Sequence, residues 1–269
     1  MTSNREGAGR TALVTGASSG IGKAFAELLA EKGYSLILTA RRRERLDALA
    51  VELGQRHGVT ATVVVADLAE PDASARIVDA LGGARVDVLV NNAGYGVAGS
   101  YTSVPWADHQ AFMQVMVMAV CDLTYRLLPG MVERGWGRII NIASVAGMVP
   151  APAGHTLYGA SKAFLIRFSE ALAAENASHG VHVTAVCPGF TYSEFHDVLG
   201  TRDRMNKMPG MLWLDAPTVA REGYDAVMNG DSVVVNGRIY RMLIWLTGVL
   251  PRRLSRWISG GAGRRYRKT

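Results

Sequence analysis

Residues 11–22 read Thr11-Ala12-Leu13-Val14-Thr15-Gly16-Ala17-Ser18-Ser19-Gly20-Ile21-Gly22, and this stretch decides the fold. Its first five residues are a short apolar run suited to a buried strand, and Ile21 to Lys32 has helical spacing. Between them, glycines at 16, 20 and 22 let the backbone turn tightly and come close to a ligand. The first amides of the following helix then point at that ligand, an arrangement that holds a pyrophosphate. Three glycines alone can be only a turn. Here a strand on one side and a helix on the other favour the phosphate-binding reading.

Working outward, further strand-like runs alternate with helical segments almost from end to end. TALVT, SLILTA, TATVVVA, VDVLV, GRIINIA and VHVTAVC are six such runs, and VVVN near residue 235 is a seventh candidate. The segments between them, such as Arg42 to Arg56, have the length of crossover connections. The expected fold class is α/β: a doubly wound, mostly parallel, Rossmann-like sheet with helices on both faces. One domain over 1–269 fits the length, since no linker or repeat interrupts the alternation. A longer helix is expected from Pro105, as a first-turn residue, to about Arg134, with a kink or early stop at Pro129. The irregular segment at about 190–216 follows the sixth run, at the edge where open α/β sheets bind ligands, and is read as a substrate lid.

Composition narrows the class. The chain is 49% hydrophobic and 19% charged, an ordinary balance for a soluble globular protein. Cys121 and Cys187 lack close Cys or His neighbours, so they read as buried thiols in a reducing compartment, and no metal is expected. The polar first ten residues lack the apolar run of a secretion signal, which points to the cytoplasm. The net charge of +6 sits at one end: residues 250–269 carry seven Arg or Lys and no acid, leaving 22 basic against 23 acidic residues before them. Nucleic-acid binding is not expected, because no reading module accompanies the charge. The basic segment at about 239–269, which opens on the apolar stretch IYRMLIWLTGVL, has two readings. It is a helix packed on the core with a solvated tail, or an amphipathic element in peripheral contact with an anionic membrane.

Tyr158 and Lys162 stand four residues apart, one turn along a helix face. A phenol of pKa ~10 exchanges protons poorly near neutrality, and a nearby ammonium brings it toward the working pH. Ser144 follows the strand GRIINIA and can aim a hydroxyl at developing negative charge. Each of these residues alone is commonly surface decoration or a turn.

Together with the glycine loop they resemble the short-chain dehydrogenase/reductase family. TGASSGIG, Asp67 in ADL, Asn91-Asn92-Ala93-Gly94, Ser144, Tyr158-Gly159-Ala160-Ser161-Lys162 and Pro188-Gly189 fall in that family's order over about residues 10–230. The resemblance implies an oxidoreductase that interconverts a carbonyl and an alcohol, with Tyr158 as general acid/base and Lys162 and Ser144 beside it. It assigns Gly16, Ser18, Ser19, Gly20, Ile21 and Gly22 to the cofactor loop. Asp67 and Leu68 frame the adenine, Asn92, Ala93 and Gly94 line the ribose and nicotinamide side, and Pro188, Gly189 and Thr191 complete the cofactor side. Lys162 also bonds the nicotinamide ribose, and a homodimer or homotetramer on the helices at 105–134 and 157–178 is implied.

The second run ends in Ala40, followed by Arg41, Arg42 and Arg43, where an acid would select a free ribose 2′-hydroxyl. Arginine suits a 2′-phosphate, so NADP(H) is expected, with Arg41 as first choice for the contact and Arg42 second. Met116 stands where the family usually has an asparagine that supports a water path to the lysine, and a thioether donates nothing. MNKMPGMLWL suggests an apolar small-molecule substrate such as a fatty-acyl, steroid or sphingoid-type ketone. The competing reading is a non-catalytic NADP(H)-binding sensor or scaffold, with Met116 as a sign of decay.

Overall fold

The computed structural model describes residues 5–97, 99–150, 154, 156–192 and 209–249. Strands β1 (Thr11–Thr15), β2 (Ser35–Ala40), β3 (Ala61–Val65), β4 (Val88–Asn91), β5 (Gly137–Ile142), β6 (Val181–Cys187) and β7 (Val233–Val235) form one sheet in the order β3-β2-β1-β4-β5-β6-β7. Every pairing is parallel. The chain winds outward from β1 to β3, returns, and winds the other way from β4, which leaves a crevice at the carboxyl ends of β1 and β4. The expected doubly wound sheet and all seven strand runs are present.

A parallel strand covered on both faces must be apolar on both, and successive residues divide between two cores. Ala12, Val14, Leu36, Leu38, Val88 and Val90 face one core, with Phe25 and Leu29 of α1 (Gly20–Glu31), Leu46 and Leu53 of α2 (Arg43–His57) and Val219 of a later helix (Ala216–Asn229). Leu13, Ile37, Leu89 and Ile139 face the other, with Ile77 of α3 (Ala73–Ala80) and Leu123 and Met131 of the long helical segment.

That long segment runs from α4 (Trp106–Met113) through one widened turn of π type at Gln114–Met118 into α5 (Ala119–Glu133). Pro105 caps it from just outside instead of occupying its first turn. The stop expected at Pro129 does not occur: α5 continues to Glu133. Proline removes one helical bond, to the carbonyl four residues back at Tyr125, and that residue is 79% exposed, on the solvent side. Trp106–Glu133 is long and apolar enough by composition to cross a membrane, yet half of its most apolar window is buried inside the protein. Cys187 is buried as expected, whereas Cys121 is only half-buried on α5.

The chain ends its described part in α6 (Thr156–Asn176), α7 (Ala216–Asn229) and α8 (Arg238–Val249). Residues 193–208, most of the expected lid, and the basic residues 250–269 lie outside the described residues.

Candidate active site

The glycine loop is held from the β4 side. Asn92 donates its side-chain amide to the carbonyls of Thr15 (2.9 Å) and Gly16 (3.3 Å). The Thr15 hydroxyl donates to the Val90 carbonyl and accepts the backbone amides of Asn92 (2.9 Å) and Ala93 (3.0 Å). Gly16 has φ +65°, and a Cβ there would stand 2.8 Å from the Asn92 amide nitrogen; one on Gly22 would strike the same group. Only glycine fits this latch at 16, by conformation and by space. Gly20 also has positive φ (+57°) and opens α1, whose first turn contains no acidic residue. Ser19, at the N-cap, makes no capping bond with its side chain, so the helix's first amides are turned to the crevice without a carboxylate competing for them.

Arg42 lies over this loop. Its Nη2 donates to Ser18 Oγ at 2.9 Å and to Ser19 Oγ at 3.1 Å. Arg41 instead points to Asp67 (3.9 Å) with three quarters of its side chain in solvent. Of the two arginines, Arg42 is the one gathered with the glycine loop. Asp67 accepts from the Ala69 amide (3.0 Å), which fixes the turn after β3, and Leu68 is buried beside it. A nucleotide fits these residues, with a glycine cradle, free helix amides and a guanidinium on one side.

Across the crevice, Ser144 leaves β5 and begins a short turn at Val145–Gly147. Its Oγ accepts the Ala146 amide (3.1 Å) and donates toward the Pro188 carbonyl (3.4 Å), which pins it between β5 and β6. Gly147 packs on α6 so closely that a Cβ would meet the Lys162 backbone at 2.6 Å, and this brings the serine's turn against the helix that carries Tyr158 and Lys162. This places the Ser144 side chain beside the Tyr158 phenol. Lys162 Nζ donates to the Ile142 carbonyl at 2.6 Å and sits 5.8 Å from the centre of the Tyr158 ring.

The charges differ from the simple expectation. Burial pushes the Tyr158 phenol above its ordinary value, and the Ser144 hydrogen bond opposes that shift. Burial also lowers the Lys162 ammonium to about 8. The ammonium was expected to bring the phenol down, but it is turned to a backbone carbonyl, so desolvation governs both groups. Burial likewise raises the neighbouring Cys187 thiol to about 12, which keeps it protonated and inert.

Met116 is 1% exposed in the widened turn of the long helix. With Phe112 and Val117 it forms an apolar cluster against which Tyr95, Leu157 and Tyr158 pack. Its sulfur lies 2.9 Å from where a Cβ of Gly94 would be, so that glycine leaves room for the thioether.

After β6, Thr191 Oγ1 donates to the Gly189 carbonyl (3.2 Å) and is buried. The ring of Tyr240 occupies the space where a Cβ of Gly189 would sit. Its hydroxyl accepts the Phe190 amide (3.0 Å) and donates to the Leu212 carbonyl (2.7 Å), joining both described ends of the 190–216 segment. Tyr192 stacks on Trp213 at 4.4 Å. Tyr240 was not singled out from sequence. It lies in an apolar helix far along the chain, and only the missing Cβ at Gly189 reveals their contact.

A profile of the short chain dehydrogenase family matches residues 10–203. The chain belongs to this family. Over 197 residues this short-chain dehydrogenase is 42% identical to the very-long-chain 3-oxoacyl-CoA reductase of Anas platyrhynchos, covering 71% of the chain and 63% of that protein. It therefore spans less than two thirds of that relative's length. Among solved structures, a short-chain dehydrogenase from Sphingobium yanoikuyae in complex with NADPH superposes with a TM-score of 0.80 at 32% identity, covering 89% of this chain and 92% of that one. Another, from Burkholderia phymatum in complex with NAD, gives a TM-score of 0.79 at 26% identity, with coverages of 90% and 94%. Both dinucleotides thus occur among similar folds, and the second-strand arginines bear on the choice between them.

Proposed function

We propose that this short-chain dehydrogenase is an NADP(H)-dependent enzyme that interconverts a carbonyl and an alcohol on an apolar substrate. The observation that carries this reading is the packing of the Ser144 turn against α6, where Gly147 meets the Lys162 backbone and Lys162 Nζ stands 5.8 Å from the Tyr158 ring, across the crevice from the glycine loop. Arg42 on Ser18 and Ser19 supports the phosphorylated dinucleotide, since a guanidinium pairs with a 2′-phosphate and Ala40 offers no carboxylate to repel it.

In the reductive direction NADPH, when bound, would supply the hydride that the carbonyl carbon takes. Ser144 donates a hydrogen bond to the carbonyl oxygen and steadies the charge that forms there. Tyr158 gives its hydroxyl proton to that oxygen, completing the alcohol, and is left as a phenolate. Lys162, whose proton affinity burial has reduced, would bond the nicotinamide ribose of the bound cofactor and hold it in register with Tyr158. In the oxidative direction each proton returns along the same path.

Phe190, Tyr192 and Trp213 cluster beyond β6 and favour an apolar substrate; a ketone on a long acyl chain is the first choice, in keeping with the activity named for the Anas platyrhynchos relative. Exposed Met118 in the widened turn, Tyr125 on α5 and Phe164 on α6 support a homodimer or homotetramer across these helices. The same reading places the protein in the cytoplasm with its basic C-terminal segment at a membrane surface. The test is NADPH consumption, followed by absorbance, against a panel of short and long-chain ketones. Turnover by the native chain and none by Tyr158→Phe supports the assignment; cofactor binding without consumption across the panel overturns it in favour of a sensor.

A further inference from the structure

Helix α8 presents two unlike faces. Tyr240 points inward, 6% exposed, and holds the Phe190 and Leu212 backbones, while Met242 (55% exposed), Leu243 (41%), Trp245 (67%) and Leu246 (39%) stand on the outer side. Four large apolar side chains grouped on one helix are costly in water. The flanking charge is of one sign: Arg238 and Arg241 lie on the helix, and the 20 residues after it add seven Arg or Lys and no acid. An apolar stripe with a tryptophan, on a helix whose own charged residues are two arginines and no acid, matches the boundary between acyl chains and anionic headgroups. A second copy of the chain would bring these cations against each other.

We propose that the outer face of α8 docks on an anionic lipid surface, and that Tyr240 couples this docking to the described stretches it bonds, at Phe190 and at Leu212, beside the aromatic cluster of Phe190, Tyr192 and Trp213. The coupling rests on one hydroxyl that accepts the Phe190 amide and donates to the Leu212 carbonyl. Seating the helix in the headgroup layer leaves Phe190 and Leu212, held on its inner face, one helix diameter (~10 Å) from the lipid, a short path by which an apolar ketone enters from the membrane. This deepens the proposed function and relies on it only for the identity of the substrate.

The test uses the full chain with phosphatidylcholine vesicles, with and without phosphatidylglycerol. Sedimentation is expected with the anionic vesicles, weakening at high salt, and about tenfold less with the double variant Leu243→Ser/Trp245→Ser. That variant keeps its turnover of a water-soluble ketone but loses the stimulation that anionic vesicles give on a long-chain ketone. Tyr240→Phe still sediments with the vesicles and loses the stimulation. Equal sedimentation of the native and double-variant chains overturns the proposal. So does a native dimer that the double variant converts to monomer without any vesicle binding. Vesicle binding by a chain that turns over no ketone at all supports the docking and defeats only the assigned reaction.

Discussion

The Lys162 ammonium is bonded to the Ile142 carbonyl at 2.6 Å, inside a site where only 6% of the residue is exposed. One carbonyl dipole does not replace the water lost on burial, and the ammonium's pKa falls from 10.5 to about 8. Between those two values the folded chain holds fewer protons than the unfolded chain. Stability therefore rises with pH across that window, and the cost of burying the cation is fully present below about 8. Lys162→Met is expected to raise stability at pH 7 by roughly 2–3 kcal/mol, with the gain fading toward pH 10. Urea unfolding at the two pH values checks this; an equal difference at both would mean the charge is not the cause. The same variant should be inactive, separating what the residue does for catalysis from what it does to the fold.

Removal of the Ser144 hydroxyl acts on the neighbouring phenol in a known direction. Burial raises the Tyr158 pKa and the Ser144 hydrogen bond lowers it, so Ser144→Ala leaves the raising influence unopposed. Alcohol oxidation needs the phenolate and gains rate as pH climbs through that pKa. The rising limb of kcat/KM for oxidation should move to higher pH in Ser144→Ala, with kcat down about a hundredfold from the lost donor. A limb that stays in place would show that the serine does not reach the tyrosine during turnover.

Much of this was legible in the chain itself. Apolar runs with β-branched residues marked all seven strands, and the spacing of Gly16, Gly20 and Gly22 located the crevice, because these signals are local. The contact of Arg42 with Ser18 was not legible: both arginines follow the same strand, and only the path of the backbone into α2 aims Arg42 at that serine. The persistence of α5 through Pro129 depends on Tyr125 facing solvent, a property of packing. Tyr240 lay hidden because its partner, Gly189, is recognised by an absent atom.

Arg42→Ala tests the cofactor assignment. A charge-assisted contact to phosphate contributes about 1.5–3 kcal/mol, so KM for NADPH should rise about 10- to 100-fold, with little change for NADH. Arg41, directed to Asp67 and mostly in solvent, should matter far less when replaced by alanine. Steady-state kinetics with both dinucleotides distinguish the two; equal losses with NADH and NADPH in Arg42→Ala would point to a disturbed loop instead of a lost phosphate contact.

Met116 is the residue at which the chain departs from its family's habit, and its surroundings argue what a reversion would do. The thioether is buried against Phe112, Val117 and the Tyr158 ring, and Gly94 leaves room for its sulfur. An asparagine there would bring an amide with four bonding positions into an apolar cluster, at a cost of about 1–3 kcal/mol if they go unmet. It would also lose contacts that hold the Tyr158 ring in place. Met116→Asn is therefore expected to unfold at lower denaturant concentration and to show no gain in turnover, whereas Met116→Leu, similar in volume and equally apolar, should keep both. A faster Met116→Asn enzyme would mean that the methionine has narrowed a proton path to Lys162, and that the apolar packing beneath Tyr158 limits the rate it was thought to support.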